Sequence, residues 1–398
     1  MPCQDAISAV PAAGGCARVD DAGLRRYESL LDCLEGVPDP RRRHGMRHRA
    51  AVVLAFAVAA VMAGADSVTA IAEWARDVPP EVLEALDARC DRRGRRVPPS
   101  LSTFRRVLRK LDGQALAAAF GSWLSAQVLA GPADAASLVV ALDGKTVRGA
   151  KAGGAKAPHL LAAMITGARA VLAQRDVDQK TNEITQVKPL LDDIGIAGAL
   201  VTADALHVQK ETARYLVEDK HADYLFTAVK DNQPGLFAAL DALDWQNTPV
   251  AHTMRDRGHG RDETRTIQVL PAPEGLFPYA AQAFLIDRAV RDPHDGQLRS
   301  AVAALGITSR PLDRGGTPEA IAAAARGHWQ IEALHHVRDV TMKEDAQRLR
   351  AGTSAQVAAA VRNVAIAALR LAGFTATAAG RRWAARNPAR PLAALNLI

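Results

Sequence analysis

Apolar and polar residues follow two different patterns, one before and one after about residue 130. Between residues 22 and 130 the apolar residues recur at helical spacing, and turns such as "DVPPE" and "GRRVPPS" separate the segments. Beyond residue 137, short continuous apolar runs alternate with turns and amphipathic segments, which is typical of buried strands and helices. We expect an α/β protein with a disordered N-terminal tail at 1–21, a helical domain at 22–130, a main α/β domain at 137–375 and a C-terminal tail at 376–398.

Two of the apolar runs lead into an aspartate. "SLVVALDGKTVRGA" reaches Asp143 at the end of its apolar part, and "GALVTADALH" reaches Asp204 in the same way. Between them lie the strand-like runs "HLLAAMITG" and "AVLAQRDVD" and a helix-like stretch capped by Asn182. The predicted order is strand, strand, strand, helix, strand, with an aspartate at the end of the first and fourth strands. A single aspartate in such a place also fits a turn or a helix cap.

The segment "HWQIEALHHVRDVTMKED", residues 328–345, predicts an amphipathic helix. Its polar arc holds Glu332, His335, His336 and Asp339. Asp339 lies about 10.5 Å along the helix axis from Glu332, so we expect it to form a salt bridge or to support the metal ligands indirectly rather than to share the metal site. His335 and His336 lie within about one turn of Glu332, so they are candidates to hydrogen-bond and orient the metal ligands, and a purely structural role fits them as well.

Three carboxylates in this pattern point to metal chemistry. Two aspartates on neighbouring strands and one glutamate supply the hard oxygen ligands that Mg²⁺ prefers, whereas without a cation they would repel one another. Two Mg²⁺ ions about 3.5–4 Å apart can activate an attacking oxygen and stabilise the leaving oxygen of a phosphodiester. Asp143, Asp204 and Glu332 are therefore the candidate catalytic residues and ligands of two Mg²⁺ ions, for which Mn²⁺ can substitute.

The chain between Asp204 and Glu332 spans 128 residues, which is too long for a simple continuation of the same fold. It contains the strand-like runs "RTIQVL", "QAFLIDRAV" and "AVAALGITS", so we expect an inserted β-rich region at about 223–311. Within "RGHGRDETR", alternating residues are predicted to share one face of a strand, either as DNA contacts or as a solvated surface. These residues are Arg257, His259, Arg261, Glu263 and Arg265.

Charge adds a candidate partner, because the formal net charge of +7 favours a polyanion such as double-stranded DNA. The helix "SLSTFRRVLRKLD" has an apolar face, and its other face is basic. That basic face fits a helix laid along DNA and fits equally a solvated surface. The run from Arg41 to Arg49 has the same two interpretations. The basic residues of the helix are Arg105, Arg106, Arg109 and Lys110.

Three further features concern the cellular location of the protein and the state of its thiols. The uncharged run from Ala50 to Ala65 has 16 residues, fewer than the roughly 20 that a membrane span needs, so a buried core helix is expected. The four cysteines show no metal-binding spacing and are expected to be reduced thiols. No export signal is evident at the N-terminus, and we expect a cytoplasmic protein.

Several longer motifs carry a family resemblance. "DGKTVRGA", "VDQKTNEITQVKPLLDD", "VTADALHVQKETARYLVEDKHADYLFTAVKDNQP" and "RGHWQIEALHHVRDVTMKEDAQRLRAG" resemble insertion-sequence transposases of the ISAs type, the family of the H-repeat-associated proteins. "LEGVPDPRRRHGMRHRAAVV" and "PSLSTFRRVLRKLD" resemble that family's N-terminal associated domain. The resemblance covers roughly residues 28–398.

The resemblance implies an RNase H-like catalytic domain of the DDE superfamily with Asp143, Asp204 and Glu332 as its triad. It implies DNA cleavage and strand transfer, with element ends and target DNA as partners and a homodimer assembled on DNA. Lys145 and Arg148, in the motif "DGKTVRGA", are further expected DNA contacts. The chain departs from the Tyr, Arg, Glu, Lys signature of the larger superfamily, because the corresponding positions hold Ala325, His328 and Asp339.

Two alternatives remain open at this point. Glu332 with His335 and Glu218 with His221 each form the ExxH spacing of a di-iron helix bundle, although the strands around both aspartates disagree with a bundle. A transposase-derived DNA-binding protein or repressor that has lost cleavage is the other alternative, and the intact set of three acids disagrees with it.

Overall fold

The N-terminal part of the protein is helical in the computed structural model, which describes residues 18–19, 25–26, 29–42, 46–129, 138–151, 156–177, 182–227, 229, 233–258 and 260–398. Of the tail predicted at 1–21, the described residues include only Arg18 and Val19, which pair with Arg26 and Arg25. The elements are β1 (Arg18–Val19), β2 (Arg25–Arg26), α1 (Leu30–Glu35), α2 (Ala50–Met62), α3 (Val68–Asp77), α4 (Pro80–Ala85), α5 (Leu101–Lys110) and α6 (Gly113–Leu129).

Helix α2 lies at the centre of this part, and all 13 of its residues are buried. Phe56 in α2 meets Trp74 of α3 edge-on, with ring centroids 6.4 Å apart. The helix ends at Met62, and Gly64 follows with a φ of 110°, a conformation that favours glycine. The apolar run therefore forms the predicted core helix. Among the described residues, none of the helices combines the length and apolar character needed to cross a membrane.

A central sheet begins after the N-terminal helices and has the predicted strand and helix order. Its strands β3, β4 and β5 are antiparallel neighbours, whereas β6 pairs parallel with β3 and β7 pairs parallel with β6. The spatial order β5-β4-β3-β6-β7 is that of an RNase H-like sheet. The elements are β3 (Val139–Thr146), β4 (His159–Ile165), β5 (Ala170–Val177), α7 (Glu183–Leu191), β6 (Leu200–Ala203), α8 (Lys210–Arg214) with a π-helical turn at Tyr215–Asp219, and β7 (Asp223–Phe226).

Asp143 differs in one respect from its prediction, because it lies inside β3 rather than at the end of that strand. Pairing with β4 continues past Asp143 as far as Thr146, which lies opposite His159. On the other side, β6 stops at Ala203. Strand β3 therefore extends beyond its apolar residues, because β4 forms backbone hydrogen bonds with the polar residues that follow. The hydrophobic pattern alone does not reveal this pairing.

The inserted region adds four antiparallel strands to the same sheet, giving nine strands in the order β5-β4-β3-β6-β7-β11-β10-β9-β8. The predicted β-rich character is present, but the boundary at 223 differs. Strand β7 belongs to the RNase H-like part because it pairs with β6, so the inserted strands begin later. The elements are α9 (Pro234–Asp241), β8 (His252–Gly258), β9 (Arg261–Pro271), β10 (Gln282–Arg291) and β11 (Leu298–Thr308).

Four helices complete the chain: α10 (Pro318–His336), followed by a π-helical turn at Val337–Thr341, then α11 (Ser354–Leu371), α12 (Thr377–Ala385) and α13 (Ala389–Ala394). Residues 376–398 are thus not the expected tail. Ala384, Leu392 and Leu395 of this segment are buried, and the Leu30 N–H donates to the Leu395 carbonyl at 3.3 Å. The two short helices depend on these long-range contacts, which local periodicity cannot show.

The N-terminal helices and the sheet share one hydrophobic core. Helix α11 packs against α2, α5 and α6, and it also packs on β5 together with α6. Trp123 of α6 and Leu142 of β3 belong to the same buried cluster. The helical segment predicted as a separate domain at 22–130 therefore shares its core with the sheet.

Candidate active site

The three predicted acids converge at one edge of the RNase H-like sheet. Strands β3 and β6 pair in parallel with Leu142 opposite Ala203, so the next residue of each segment, Asp143 or Asp204, emerges at the same place. Helix α10 packs against both strands and carries Glu332. Sequence position alone could not show this meeting, because it depends on the register of two strands and on the placement of a helix.

Burial and mutual repulsion act on these acids. Burial, together with the negative charges of Asp204 and Glu332, raises the pKa of Asp143 to about 7, although the Gly144 N–H donates to its Oδ1 at 2.8 Å. Burial and the charge of Asp204 also raise the pKa of Glu332. The carboxylates are therefore close enough to destabilise one another's ionised forms, which is the electrostatic condition for binding a cation.

Asp204 is held by the turn that follows it. Its Oδ1 accepts the Leu206 N–H at 3.1 Å, which caps the 3₁₀ helix Ala205–His207. This capping interaction fixes the carboxylate directly beyond β6. Asp204 is thus a helix cap, as one interpretation of the sequence allowed, and this position is compatible with the functional interpretation as well.

His328 ties the glutamate-bearing helix to the sheet. Its side chain is 6% exposed, and Nδ1 lies 3.0 Å from Oγ1 of Thr202 in β6. Thr202 is two residues before Asp204, and His328 is one helical turn before Glu332. The contact therefore sets where α10 lies on β6 and places Glu332 near Asp204. Burial lowers the pKa of His328, which favours the neutral ring.

The two histidines predicted behind Glu332 have different positions. His335 is largely buried, with Nδ1 3.4 Å from Oδ2 of Asp143. Burial and the nearby charges of Arg338 and Lys145 lower its pKa to about 3, so the ring is neutral near pH 7. His336 is exposed at the end of the helix. The prediction that His336 also supports the site is therefore not reproduced, because one helical step of about 100° separates the two rings.

Lys145, predicted as a DNA contact, points into the protein instead. Its side chain is 7% exposed, and Nζ lies 2.7 Å from both carboxylate oxygens of Asp339 and 3.9 Å from Glu344. Burying an ammonium group requires such a partner, and Asp339 supplies it. Asp339 therefore forms the salt bridge expected of it, and Lys145 is a structural residue joining β3 to the end of α10.

Helix α5 has one buried apolar face and one exposed basic face, as predicted. Phe104, Val107 and Leu108 are buried, whereas Arg105, Arg106, Arg109 and Lys110 are all exposed. Arg148 is exposed as well, and its backbone N–H donates to Oδ1 of Asp345 at 3.0 Å. These side chains are accessible to a polyanion.

The stretch "RGHGRDETR" is a β-hairpin rather than one strand, so Arg257 does not share a face with Arg261, although Arg261, Glu263 and Arg265 alternate along β9 and do share one. Arg257 in β8 lies opposite Asp262 in β9, whereas Arg261 lies opposite Gly258. Residues directly opposite one another in an antiparallel pair share a face, which places Arg257 and Arg261 on opposite faces. His259, the third predicted contact, lies outside the described residues.

A basic cleft of about 390 Å³ separates this hairpin from α10. Glu263 pairs with Arg265 at 2.9 Å and with Arg288 at 2.8 Å, and Arg326 of α10 pairs with Asp256. The side chain of Trp329, one turn before Glu332, lines the cleft and is 57% exposed. Arg288 was missed from the sequence because it lies in a different strand and meets the others only through sheet register.

A second group missed from the sequence lies beside Asp143. It consists of Glu183 and of His159 and His207, which both contact the Glu183 carboxylate. Asn182 was predicted as the cap of the helix that Glu183 begins, and this was the only local signal near the group. Cap Asn182 accepts the Ile184 N–H at 3.3 Å.

The nine-stranded sheet and the meeting of two strand-borne aspartates with a helix-borne glutamate define the chain as a protein with an RNase H-like catalytic domain. It belongs to the DDE transposases, because residues 134–368 match the family "Transposase DDE domain". Residues 31–124 match the family described as "DDE_Tnp_1-associated". Transposases of this family generally use divalent metal ions.

Individual relatives agree with this membership. The chain is 30% identical over 365 residues to "Putative transposase YncI" of Escherichia coli O157:H7, covering 86% of this chain and 87% of that protein. It is 27% identical over 360 residues to "H repeat-associated putative transposase YhhI" of Escherichia coli strain K12, covering 85% and 89%. The predicted resemblance to the H-repeat-associated proteins is therefore confirmed.

Among solved structures, the chain is similar to one in "Cryo-EM structure of piggyBac transposase synaptic complex with hairpin DNA", with a TM-score of 0.45 and 11% identity. The similarity covers 93% of this chain and 80% of that chain.

Proposed function

We propose that this protein is an active DNA transposase that cleaves the ends of an insertion sequence and joins them to target DNA. The observation that carries the proposal is the convergence of Asp143, Asp204 and Glu332 at one sheet edge, where burial, together with repulsion among them, raises the pKa of Asp143 to about 7. Such an arrangement is unfavourable unless a cation offsets the charge, and the chain retains all three acids that cleavage requires.

The side chains present fit Mg²⁺ as the cofactor. Mg²⁺ is held by a few carboxylates together with waters and substrate phosphates, so it needs no closed cage of protein ligands. Among the described residues, no three His, Cys, Asp or Glu side chains are grouped closely enough to hold a metal ion by themselves, so waters and DNA phosphates would have to complete the coordination. Asp143, Asp204 and Glu332 would hold the ions and leave positions open for DNA. When bound, a pair of Mg²⁺ ions activates the attacking oxygen and stabilises the leaving oxygen of a phosphodiester.

Residues of the chain itself hold this site in place. His328 anchors α10 to Thr202, and the Lys145–Asp339 pair joins β3 to the end of the same helix. His335 contacts Asp143 as a neutral ring, so it orients the carboxylate without cancelling the charge needed by a cation. The proposed role of these three contacts is to keep Glu332 facing the two aspartates.

DNA contacts are proposed for the exposed basic side chains. Those of α5, with Arg148, present positive charge outside the active site, and the basic cleft presents it within about one turn of Glu332. Phosphate contacts of this kind bind DNA of any sequence and weaken with salt. We further propose a dimer on DNA, since two element ends have to be brought together.

Strand cleavage by purified full-length protein tests the function. The substrate is a duplex of the DNA that flanks the gene, including any terminal inverted repeats, incubated with Mg²⁺. Asp143→Asn, Asp204→Asn and Glu332→Gln should each reduce cleavage by more than about a hundredfold, the upper end of the cost of losing a residue behind a metal ligand. Binding of the ends, measured by gel shift, should remain.

Asp193→Asn, a change at an exposed aspartate, is the matched control and should cleave normally. Cleavage that survives in any of the three variants contradicts the triad. If the wild-type protein binds the ends but does not cleave them, the alternative of a transposase-derived DNA-binding protein without cleavage activity is correct.

A further inference from the structure

The group of Glu183 and two histidines forms a continuous chain of polar contacts. Glu183 is the first residue of α7, and its Oε1 lies 2.6 Å from Nε2 of His159. Its Oε2 lies 3.5 Å from Nε2 of His207. The other nitrogen of His159, Nδ1, lies 2.8 Å from Oγ1 of Thr146. The order of contacts is therefore Thr146, His159, Glu183, His207.

These contacts join the two chain segments that carry the aspartates. Thr146 is three residues after Asp143 in β3. His207 is three residues after Asp204, at the end of the 3₁₀ turn that Asp204 caps. Glu183 reaches both segments from a different helix, so moving its carboxylate would loosen both.

The packing around Glu183 is tight. His207 is 1% exposed, and Glu183 keeps only about a fifth of its side chain exposed. A Cβ atom at Gly144, the residue after Asp143, would lie 2.6 Å from Oε2 of Glu183 and would also collide with Nε2 of His159. The carboxylate therefore rests against the backbone of β3 beside Asp143, and glycine there permits the contact.

The charge of Glu183 acts on the site as well. Hydrogen bonds from His159 and His207 lower the pKa of Glu183 to about 2, so it stays ionised. Its contact with Glu183 raises the pKa of His159. The negative charge of Glu183 also adds to the repulsion that raises the pKa of Asp143. Glu183 thus adds a fourth negative charge near the three carboxylates that are proposed to bind the ions, without being one of the proposed ligands.

We propose that Glu183 is a positioning residue for the divalent-cation site, which fixes the segments of Asp143 and Asp204 through His159 and His207 and strengthens cation binding by its charge. This inference rests on the proposed function, because it concerns the same cation site. Residues behind metal ligands commonly affect metal affinity by about 10- to 100-fold. Glu183 has the position, the partners and the charge for that role.

The test compares Glu183→Gln with Glu319→Gln in the full-length protein. Both variants replace a glutamate that is paired with a histidine. Glu319 lies in the first turn of α10, and its Oε1 is 3.4 Å from Nδ1 of His252 in β8. Mn²⁺ binding is measured by the electron paramagnetic resonance signal of the free ion. Glu183→Gln should weaken Mn²⁺ binding about 10- to 100-fold and raise the Mg²⁺ concentration for half-maximal cleavage by a similar factor. Glu319→Gln should change neither.

The possible outcomes distinguish a failure of the proposed role of Glu183 from a failure of the proposed transposase function. Unchanged Mn²⁺ affinity in Glu183→Gln, or a lower maximal rate with an unchanged Mg²⁺ requirement, overturns the positioning role while wild-type cleavage keeps the proposed function. No Mn²⁺ binding and no cleavage by the wild-type protein overturns both. If Glu183→Gln does not fold, His159→Gln is measured in the same way, and an unchanged affinity there overturns the inference.

Discussion

Asp143 is the residue on which burial and like charge act together. Its raised pKa means that the metal-free folded chain holds a proton there up to about pH 7, whereas the unfolded chain releases it near its ordinary value of 3.8. The folded state therefore binds more protons across this range, and the contribution of Asp143 to stability falls as pH rises from about 4 to 7. A divalent cation would offset this penalty by favouring the ionised form.

Replacing this residue should consequently stabilise the metal-free protein. In the presence of a chelator, Asp143→Asn should unfold with a free energy on the order of 2–4 kcal/mol higher than wild type at pH 8, and with little difference at pH 4. Added Mg²⁺ should stabilise the wild type but not the variant. Chemical denaturation at the two pH values measures this. A difference that is equal at both pH values would show that Asp143 does not titrate in this range.

At the scale of elements, α10 brings several functions together. Over one face it places His328 against β6, Glu332 at the acids and His335 against Asp143, and its π-helical extension places Asp339 at Lys145. The other side of the helix presents Trp329 and Arg326 to the basic cleft. One helix therefore connects the acidic site to a cationic surface suited to a phosphate backbone.

Helix α5 is the element whose surface most directly tests DNA binding. Changing Arg105, Arg106 and Arg109 together to Glu reverses the exposed charge while leaving the buried face intact. If all three contact phosphates, DNA affinity should fall and the slope of log affinity against log salt should decrease by about 3. Fluorescence anisotropy across a salt series measures both.

The matched control for α5 changes exposed arginines elsewhere, Arg314, Arg382 and Arg386, to Glu. Net charge then changes equally in the two triple variants. Equal losses of affinity would mean that only total charge matters, and an unchanged affinity in the α5 variant would remove this helix from the DNA interface.

At the scale of the whole molecule, the N-terminal helices, the sheet and the C-terminal helices stabilise one another. Arg381 of α12 donates to the Thr341 carbonyl at 2.6 Å and pairs with Asp66 in the loop after α2. Helix α11 contacts both the N-terminal helices and β5. A substitution in the core of the C-terminal helices should therefore lower the free energy of unfolding of the whole protein.

Leu392→Ala tests this unity of the core. Leu392 is fully buried in α13, and removing its side chain should lower the free energy of unfolding by about 2–5 kcal/mol. Leu371→Ala, at a leucine that is largely exposed at the end of α11, should cost less than about 0.5 kcal/mol. Urea denaturation measures both. Equal, small effects would mean that residues 376–398 behave as an independent tail.

Particular residues show how far the sequence leads. The apolar runs before Asp143 and Asp204 and the amphipathic pattern around Glu332 identified the three acids, because each pattern is local. The same reasoning predicted DNA contact for Lys145, which is buried, and one shared face for Arg257 and Arg261, which a hairpin separates. A basic side chain looks the same in the sequence whether its partner is DNA or an aspartate 194 residues away.

The sequence by itself determined what depends on neighbouring residues. The buried helix α2, the two-faced helix α5 and the strand order follow from local periodicity, and the family resemblance follows from contiguous motifs. Only the tertiary structure decided which polar groups meet, including His328 with Thr202 and Glu183 with His159 and His207. The physical reason is that burial and strand register create these contacts between distant segments, and the same burial sets the charge states on which the proposed chemistry depends.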